Sequence, residues 1–190
     1  MKRFAGLLVC AACGSSGPHG PLVYTNPTPT SGALELVKDR TATSKAMVLD
    51  LIVGKTAVTG YSTGFNLPID TTKVTLGAFT PGGALSPGSL PMAAHAVLPT
   101  SGPLAGDLVI AQSQKAAGAG AVTTDTMLAP GTVLFTIELD YTADAPDGVV
   151  FDGTAPGFAL PSGGLLDRTG NSVVAPADVA IGKLEVIGVK

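Results

Sequence analysis

Ser62 lies in the string Gly60-Tyr61-Ser62-Thr63-Gly64, a Gly-x-Ser-x-Gly pattern that can lift a serine hydroxyl into the open as a nucleophile. Asp70 and His95 follow it in the acid-then-base order such a nucleophile uses, so acyl transfer by a serine esterase is the first chemistry to weigh. The mechanism needs a sharp strand-to-helix elbow. Here the pentapeptide runs straight into Phe65 and Leu67, in a further strand pattern with no helix after it. The plainer reading of both glycines is a bulge or a close approach of strands.

Other reactive groups are sparse. The two histidines, His19 and His95, are far apart in the chain and have no neighbouring ligand set, whereas zinc needs three or four. Asp144-Ala-Pro-Asp147-Gly148 and Asp167-Arg-Thr-Gly-Asn171 offer oxygen ligands to calcium, but neither has the alternating Asp/Asn pattern of a dedicated loop. Both read first as turns. A sugar-binding surface would want a row of exposed aromatics; Tyr61, Phe65, Phe79, Phe151 and Phe158 are the candidates, there is no Trp, and alternation places several of the five inward. No cofactor or metal is expected, and a binding module is favoured over a catalyst.

These residues must be positioned by an all-β scaffold. Only 13% of the 190 residues are charged and 45% are hydrophobic, a balance that folds rather than staying disordered. Gly and Pro number 25 and 15, which would interrupt long helices everywhere and leaves short strands as the consistent element. Period-two patterns predict strands at Leu34–Val37, Met47–Val53, Tyr61–Leu67, Val74–Phe79, Leu108–Gln112, Thr132–Tyr141, Val149–Asp152 and Lys183–Val189. The clearest is Thr132–Tyr141, with Val133, Phe135, Ile137, Leu139 and Tyr141 on one face and Thr136, Glu138 and Asp140 on the other. Such alternation implies antiparallel sheets with one buried side. Turns are expected at Pro81-Gly82-Gly83, Pro87-Gly88, Gly102-Pro103, Asp147-Gly148, Ser162-Gly163-Gly164 and Thr169-Gly170-Asn171. Eight to ten strands at this spacing predict a two-sheet antiparallel β-sandwich or jelly roll.

The amino-terminal segment reads as an address. Lys2 and Arg3 precede an apolar run, Phe4 to Ala12, and Ala11-Ala12-Cys13-Gly14-Ser15-Ser16 sets two small residues before a cysteine and a polar stretch after it. The apolar run is well short of the roughly 20 residues a bilayer-spanning helix needs. The arrangement resembles the signal of bacterial lipoproteins, which implies cleavage before Cys13, lipidation of Cys13 and anchoring in a membrane. A plain secretory leader would be cut after the same Ala11-Ala12 pair, so the lipid rests on Cys13 alone. Cys10 is the weaker site because Val9 is larger than Ala12. Gly14 stands where the sorting rule of some Gram-negative bacteria reads Asp as retention in the inner membrane, so the resemblance implies the outer membrane.

Residues 1–12 are thus expected to be a signal peptide, 13–32 a lipidated Gly/Ser/Pro-rich tether and 33–190 the folded domain. The Leu22-Val23-Tyr24 trio offers an alternative in which part of the tether docks on that domain. Loss of Lys2 and Arg3 leaves 9 of the 11 basic residues against 14 acidic ones, a net charge of −5. That balance excludes nucleic acid as a partner and electrostatic adhesion to anionic lipid. Cys10 leaves with the leader and Cys13 is acylated, so the domain would hold no thiol and no disulfide.

Two segments carry a further resemblance. Thr59-Gly-Tyr-Ser-Thr-Gly-Phe-Asn-Leu-Pro-Ile-Asp70 precedes Lys73-Val-Thr-Leu-Gly-Ala-Phe-Thr-Pro-Gly82, and Gly131-Thr-Val-Leu-Phe-Thr-Ile-Glu-Leu-Asp-Tyr141 precedes Ala145-Pro-Asp-Gly148. With the closing Gly182-Lys-Leu-Glu-Val186, their order resembles cohesin-type domains and related carbohydrate-binding sandwich modules over residues 34–187. The resemblance implies a non-catalytic module that binds a protein, dockerin-like partner, or a polysaccharide. Asp70-Thr71 replaces the family's Asp-Pro turn, and Ser62 and Gly64 stand where many cohesins present Asn and Asp, so no binding residue is carried over. A structural envelope lipoprotein without a discrete ligand is the alternative.

Overall fold

The computed structural model describes residues 21–28, 32–85 and 94–188. Fifteen strands are found among them. The first eight are β1 (Leu22–Thr25), β2 (Leu34–Lys38), β3 (Ala46–Val53), β4 (Val58–Gly60), β5 (Ser62–Pro68), β6 (Val74–Pro81), β7 (His95–Val97) and β8 (Asp107–Ser113). Then come β9 (Thr126–Leu128), β10 (Val133–Tyr141), β11 (Gly148–Asp152), β12 (Gly163–Leu166), β13 (Ser172–Val174), β14 (Val179–Ala180) and β15 (Lys183–Val186). Among the described residues, helix is confined to two three-residue 3₁₀ turns, Gly83–Leu85 and Pro176–Asp178. No helix of the described residues is long and apolar enough to cross a membrane.

The strands build an antiparallel β-sandwich. One five-stranded sheet has the order β14-β2-β3-β10-β6 and the other β13-β12-β5-β8-β7, with β14–β2 a parallel pair. A three-stranded sheet β1-β15-β11 and the ribbon β4-β9 complete it. The two large sheets meet through aromatic rings: Phe135 on β10 lies 5.5 Å from Phe65 on β5 across the sandwich, and 5.7 Å from Phe79 on β6 within its own sheet, both tilted. Tilted contacts at this spacing satisfy the ring quadrupoles while excluding water.

Alternation does what it predicts in β3, where Met47, Leu49, Leu51 and Val53 are all fully buried. In β10 it fails at one end. The register against β3 shifts between Val133 and Phe135, and Leu134 turns inward while Val133 is 36% exposed. A bulge adds a residue and resets the phase of the side chains, so the face begins at Leu134–Phe135 rather than at Val133.

Two further expectations change. Part of the segment assigned to a tether, Leu22–Thr25, is β1 and pairs along its length with β15. Leu22 and Tyr24 are buried, and the Tyr24 hydroxyl donates to the Leu36 carbonyl at 2.7 Å and accepts from the Gly182 amide at 2.9 Å. The apolar trio docks because period two gives it one face that fits the core. The turn expected at Ser162-Gly163-Gly164 is instead the start of β12, where Gly163 and Gly164 face Phe65 and Gly64. Both glycines have positive φ, and a Cβ on Gly164 would stand 1.9 Å from the Val174 carbonyl oxygen. Close strand approach, not chain reversal, explains this pair. The turn expected at Pro87-Gly88 lies outside the described residues.

Candidate functional site

Ser62, Asp70 and His95 are not brought together. Ser62 opens β5, in register with Ser113 of β8 and Leu166 of β12. His95 opens β7 and faces Ala111, so it lies two strands and two residues away on the same side. Sheet spacing and rise put these Cα atoms about 12 Å apart, beyond hydrogen-bond reach. Asp70 lies two residues past Pro68, the far end of β5, which an extended strand puts roughly 20 Å from Ser62. Its carboxylate accepts from the Thr72 amide at 3.0 Å and hydroxyl at 2.5 Å and pairs with Lys73. The Lys73 bond, then the Thr72 hydroxyl, hold its pKa below the ordinary aspartate value. That carboxylate caps a turn.

The glycines of Gly60-Tyr61-Ser62-Thr63-Gly64 are accounted for by packing. A Cβ on Gly60 would meet the Leu165 side chain at 2.4 Å, and one on Gly64 the Ile110 carbonyl oxygen at 2.3 Å. Between them Tyr61 is buried, its hydroxyl donating to the Val122 carbonyl at 3.0 Å. Thr63 is also buried and donates to the Gly164 carbonyl at 2.9 Å. The pentapeptide is the seam where β4 runs into β5.

The calcium readings meet the same test. Asp167 accepts from the Thr169 amide and hydroxyl at 2.8 and 2.7 Å and from the Asn171 amide at 2.9 Å, while Asn171 Nδ2 donates to its second oxygen at 3.1 Å. Donors converge on this carboxylate, with the Thr169 hydroxyl the largest influence, and its pKa falls to about 2. Four hydrogens pointing inward fill the positions a cation would need. Asp144 adopts a left-handed backbone (φ 63°) and the Asp147 carboxylate accepts from the Gly188 amide at 3.3 Å. No group of three or more His, Cys, Asp or Glu side chains able to hold a metal occurs among the described residues.

One turn recurs that the sequence reading did not single out. In Asp39-Arg40-Thr41, Asp70-Thr71-Thr72, Asp152-Gly153-Thr154 and Asp167-Arg168-Thr169, the Asp Oδ1 accepts both the amide and the hydroxyl of the Thr two residues on. An Asx turn of this kind mimics a backbone turn, and the Asp-x-Thr spacing was the available signal.

The surface best suited to recognition is the outer side of β12-β5-β8-β7. Paired strands place Ser62, Gly64 and Asn66 beside Ser113, Ala111 and Val109, with Gly164 flanking Gly64 and His95 beyond Ala111. The inward partners Phe65, Leu67, Leu108 and Ile110 are buried. A shallow depression of about 310 Å³ runs along this side, lined by Ser62, Gly64, Asn66, Ala111, Ser113 and Gly164. Leu166 stands at one end beside Ser62 and Asp107 at the other beside Pro68. Between them the outward side chains of β5 and β8 are short and uncharged, so desolvation there is cheap. No aromatic side chain among the described residues is exposed: Tyr61, Phe65 and Phe151 are buried, and Phe79 and Phe158 half-buried. Cys13 and His19 lie outside the described residues.

No protein-family profile matches the chain. No curated protein matches it either. Among solved structures the chain is similar to the solution structure of CaCohA2 from Clostridium acetobutylicum, at 12% identity and a TM-score of 0.45, over 87% of this chain and 90% of that one.

Proposed function

We propose that this chain is an envelope lipoprotein, held in the outer membrane through Cys13, whose sandwich is a non-catalytic, cohesin-like module that binds a protein partner. The observation that carries the recognition half is the shallow depression on the outer side of β5 and β8, where the short, uncharged residues Ser62, Gly64, Asn66 and Ala111 leave room for another backbone to approach. The lack of an exposed aromatic row among the described residues favours protein over polysaccharide, since sugar rings are held by stacking. The scattering of Ser62, Asp70 and His95 supports binding over hydrolysis.

The test uses the full chain as bait on an envelope extract, with Ala111→Arg as the paired variant. Ala111 is exposed, so arginine there blocks the face without disturbing the core. A partner should be captured saturably by wild type and weakened at least tenfold by Ala111→Arg, and the captured species should be protein. Equal capture by both baits, or a signal only on a glycan array, would reject the assignment. Mass spectrometry of the native product reads the anchor separately: acyl adducts on Cys13 are expected, and they should vanish in Cys13→Ser.

A further inference from the structure

The three-stranded sheet β1-β15-β11 has an outer side unlike the rest of the surface. Its inner side is core: Leu22, Tyr24, Phe151, Leu184 and Val186 are buried, and the Tyr24 and Phe151 rings are 6.0 Å apart. On the outer side, Val23 and Val149 flank Glu185 from its two neighbouring strands. Ile187 continues the same face two residues on, where its amide donates to the Pro21 carbonyl at 2.8 Å. These three aliphatic side chains are 37%, 43% and 48% exposed, and they are three of the seven large hydrophobics exposed among the described residues. Further along, the same face turns polar, with Thr25, Asp152 and Lys183 in register and Lys183 paired to Glu185 at 2.7 Å. The apolar end is the end at which the chain enters the domain.

We propose that this apolar end of the sheet, Val23, Val149 and Ile187, rests on the lipid surface that holds the anchor. The inference depends on the reading of Cys13 as the lipidated residue. Eight peptide steps separate Cys13 from Pro21, a reach of at most about 28 Å. A lipid on Cys13 therefore keeps Pro21, and the Val23–Val149–Ile187 patch beside it, close to the bilayer throughout the protein's life. At that effective concentration, a weak apolar contact with the interface is populated without an electrostatic contribution. Glu185, the charged residue between Val23 and Val149, is half-buried and paired with Lys183, so the three aliphatic side chains remain the more exposed part of this end. The polar row at Thr25, Asp152 and Lys183 sets the limit of the contact and tilts the sandwich on the membrane.

The test uses the acylated full-length protein in vesicles of phosphatidylethanolamine and phosphatidylglycerol. Cys13 is blocked by its thioether, so single cysteines introduced as Val149→Cys, Ile187→Cys and Met127→Cys take a fluorophore selectively. Met127, on β9, is 78% exposed and serves as the reference away from the patch. Brominated lipids should quench labels at 149 and 187 at least twofold more than at 127, and 1 M NaCl should not reverse this. Equal quenching at the three sites, on protein whose mass shows the acyl chains, would overturn the docking while leaving the anchor standing. A product without acyl chains overturns both. Crosslinking of Val149→Cys to a second copy, with no lipid quenching, assigns the patch to self-association and also overturns the proposal.

Discussion

At the scale of single residues, the most consequential polar atom is the Tyr24 hydroxyl. It joins β1 to β2 by donating to the Leu36 carbonyl, and it accepts the Gly182 amide just before β15. Burial is the main reason its pKa rises well above the ordinary tyrosine value, so it stays a neutral donor at any physiological pH. Tyr24→Phe keeps the ring against Phe151 but strands a buried carbonyl and a buried amide. The expected cost is about 1–3 kcal/mol, seen as a fall in Tm with unchanged near-native circular dichroism. A Tm equal to wild type would show that water replaces the hydroxyl. Gly64→Ala tests the other residue-scale claim. Its Cβ would press on the Ile110 carbonyl, a backbone atom that cannot rotate away. Loss of roughly 1–3 kcal/mol is expected in denaturant titration, the range for overpacking a tight site.

At the scale of elements, β1 decides where the domain begins. Leu22 is 2% exposed and its amide donates to the Ser44 carbonyl at 3.0 Å. Leu22→Ala should therefore cost about 2 kcal/mol or more in urea unfolding, the lower range for a buried leucine. A residue in a solvated tether would cost nothing, and a null result would return β1 to the tether. The sequence shows Leu22 and Tyr24 spaced by two but is equally consistent with a Pro-rich linker, because four residues are too few for alternation to outvote their surroundings. Longer strands were legible for the converse reason: β3 repeats its pattern over eight residues and every inward position is apolar. Strands of two to four residues, such as β4, β9, β13 and β14, had no such statistics, and against the eight to ten expected there are fifteen among the described residues. The bulge at Leu134 was illegible because both Val133 and Leu134 are apolar, so either phase fits the composition. The recognition face was hidden for a different reason. Ser62, Ala111 and Gly164 lie far apart in sequence and carry no reactive group, and only strand pairing makes them neighbours.

At the scale of the whole molecule, the four Asp-x-Thr turns give the sandwich a defined response to acid. Asp39, Asp70, Asp152 and Asp167 each have a pKa held below the ordinary aspartate value, led by hydroxyl donation from threonine in three of them and by Lys73 in Asp70. A carboxyl that is more acidic folded than unfolded adds stability that is complete above its unfolded pKa, about 3.9, and is lost as pH falls through the folded value. For Asp167 that folded value is about 2. Asp50 acts in the opposite sense: burial, opposed by the Thr136 hydroxyl at 2.5 Å and reinforced by the nearby Asp39 charge, raises its pKa. Its ionisation therefore costs stability as pH rises through the carboxyl range, and acid relieves that cost. Four turns outnumber one buried carboxylate, so Tm should be nearly level from pH 7 to 5 and fall steadily between about pH 4 and 2. Replacing Thr41, Thr72, Thr154 and Thr169 with Val removes the hydroxyl donors while keeping the turn amides, and should flatten the acid limb. A wild-type Tm that stays level to pH 2, or one that begins to fall above pH 5, would show that groups other than these turns set the acid limit. Asp50→Asn separates the opposing contribution: it keeps an oxygen for Thr136, removes the charge beside Asp39, and should raise Tm at pH 7 but not at pH 3.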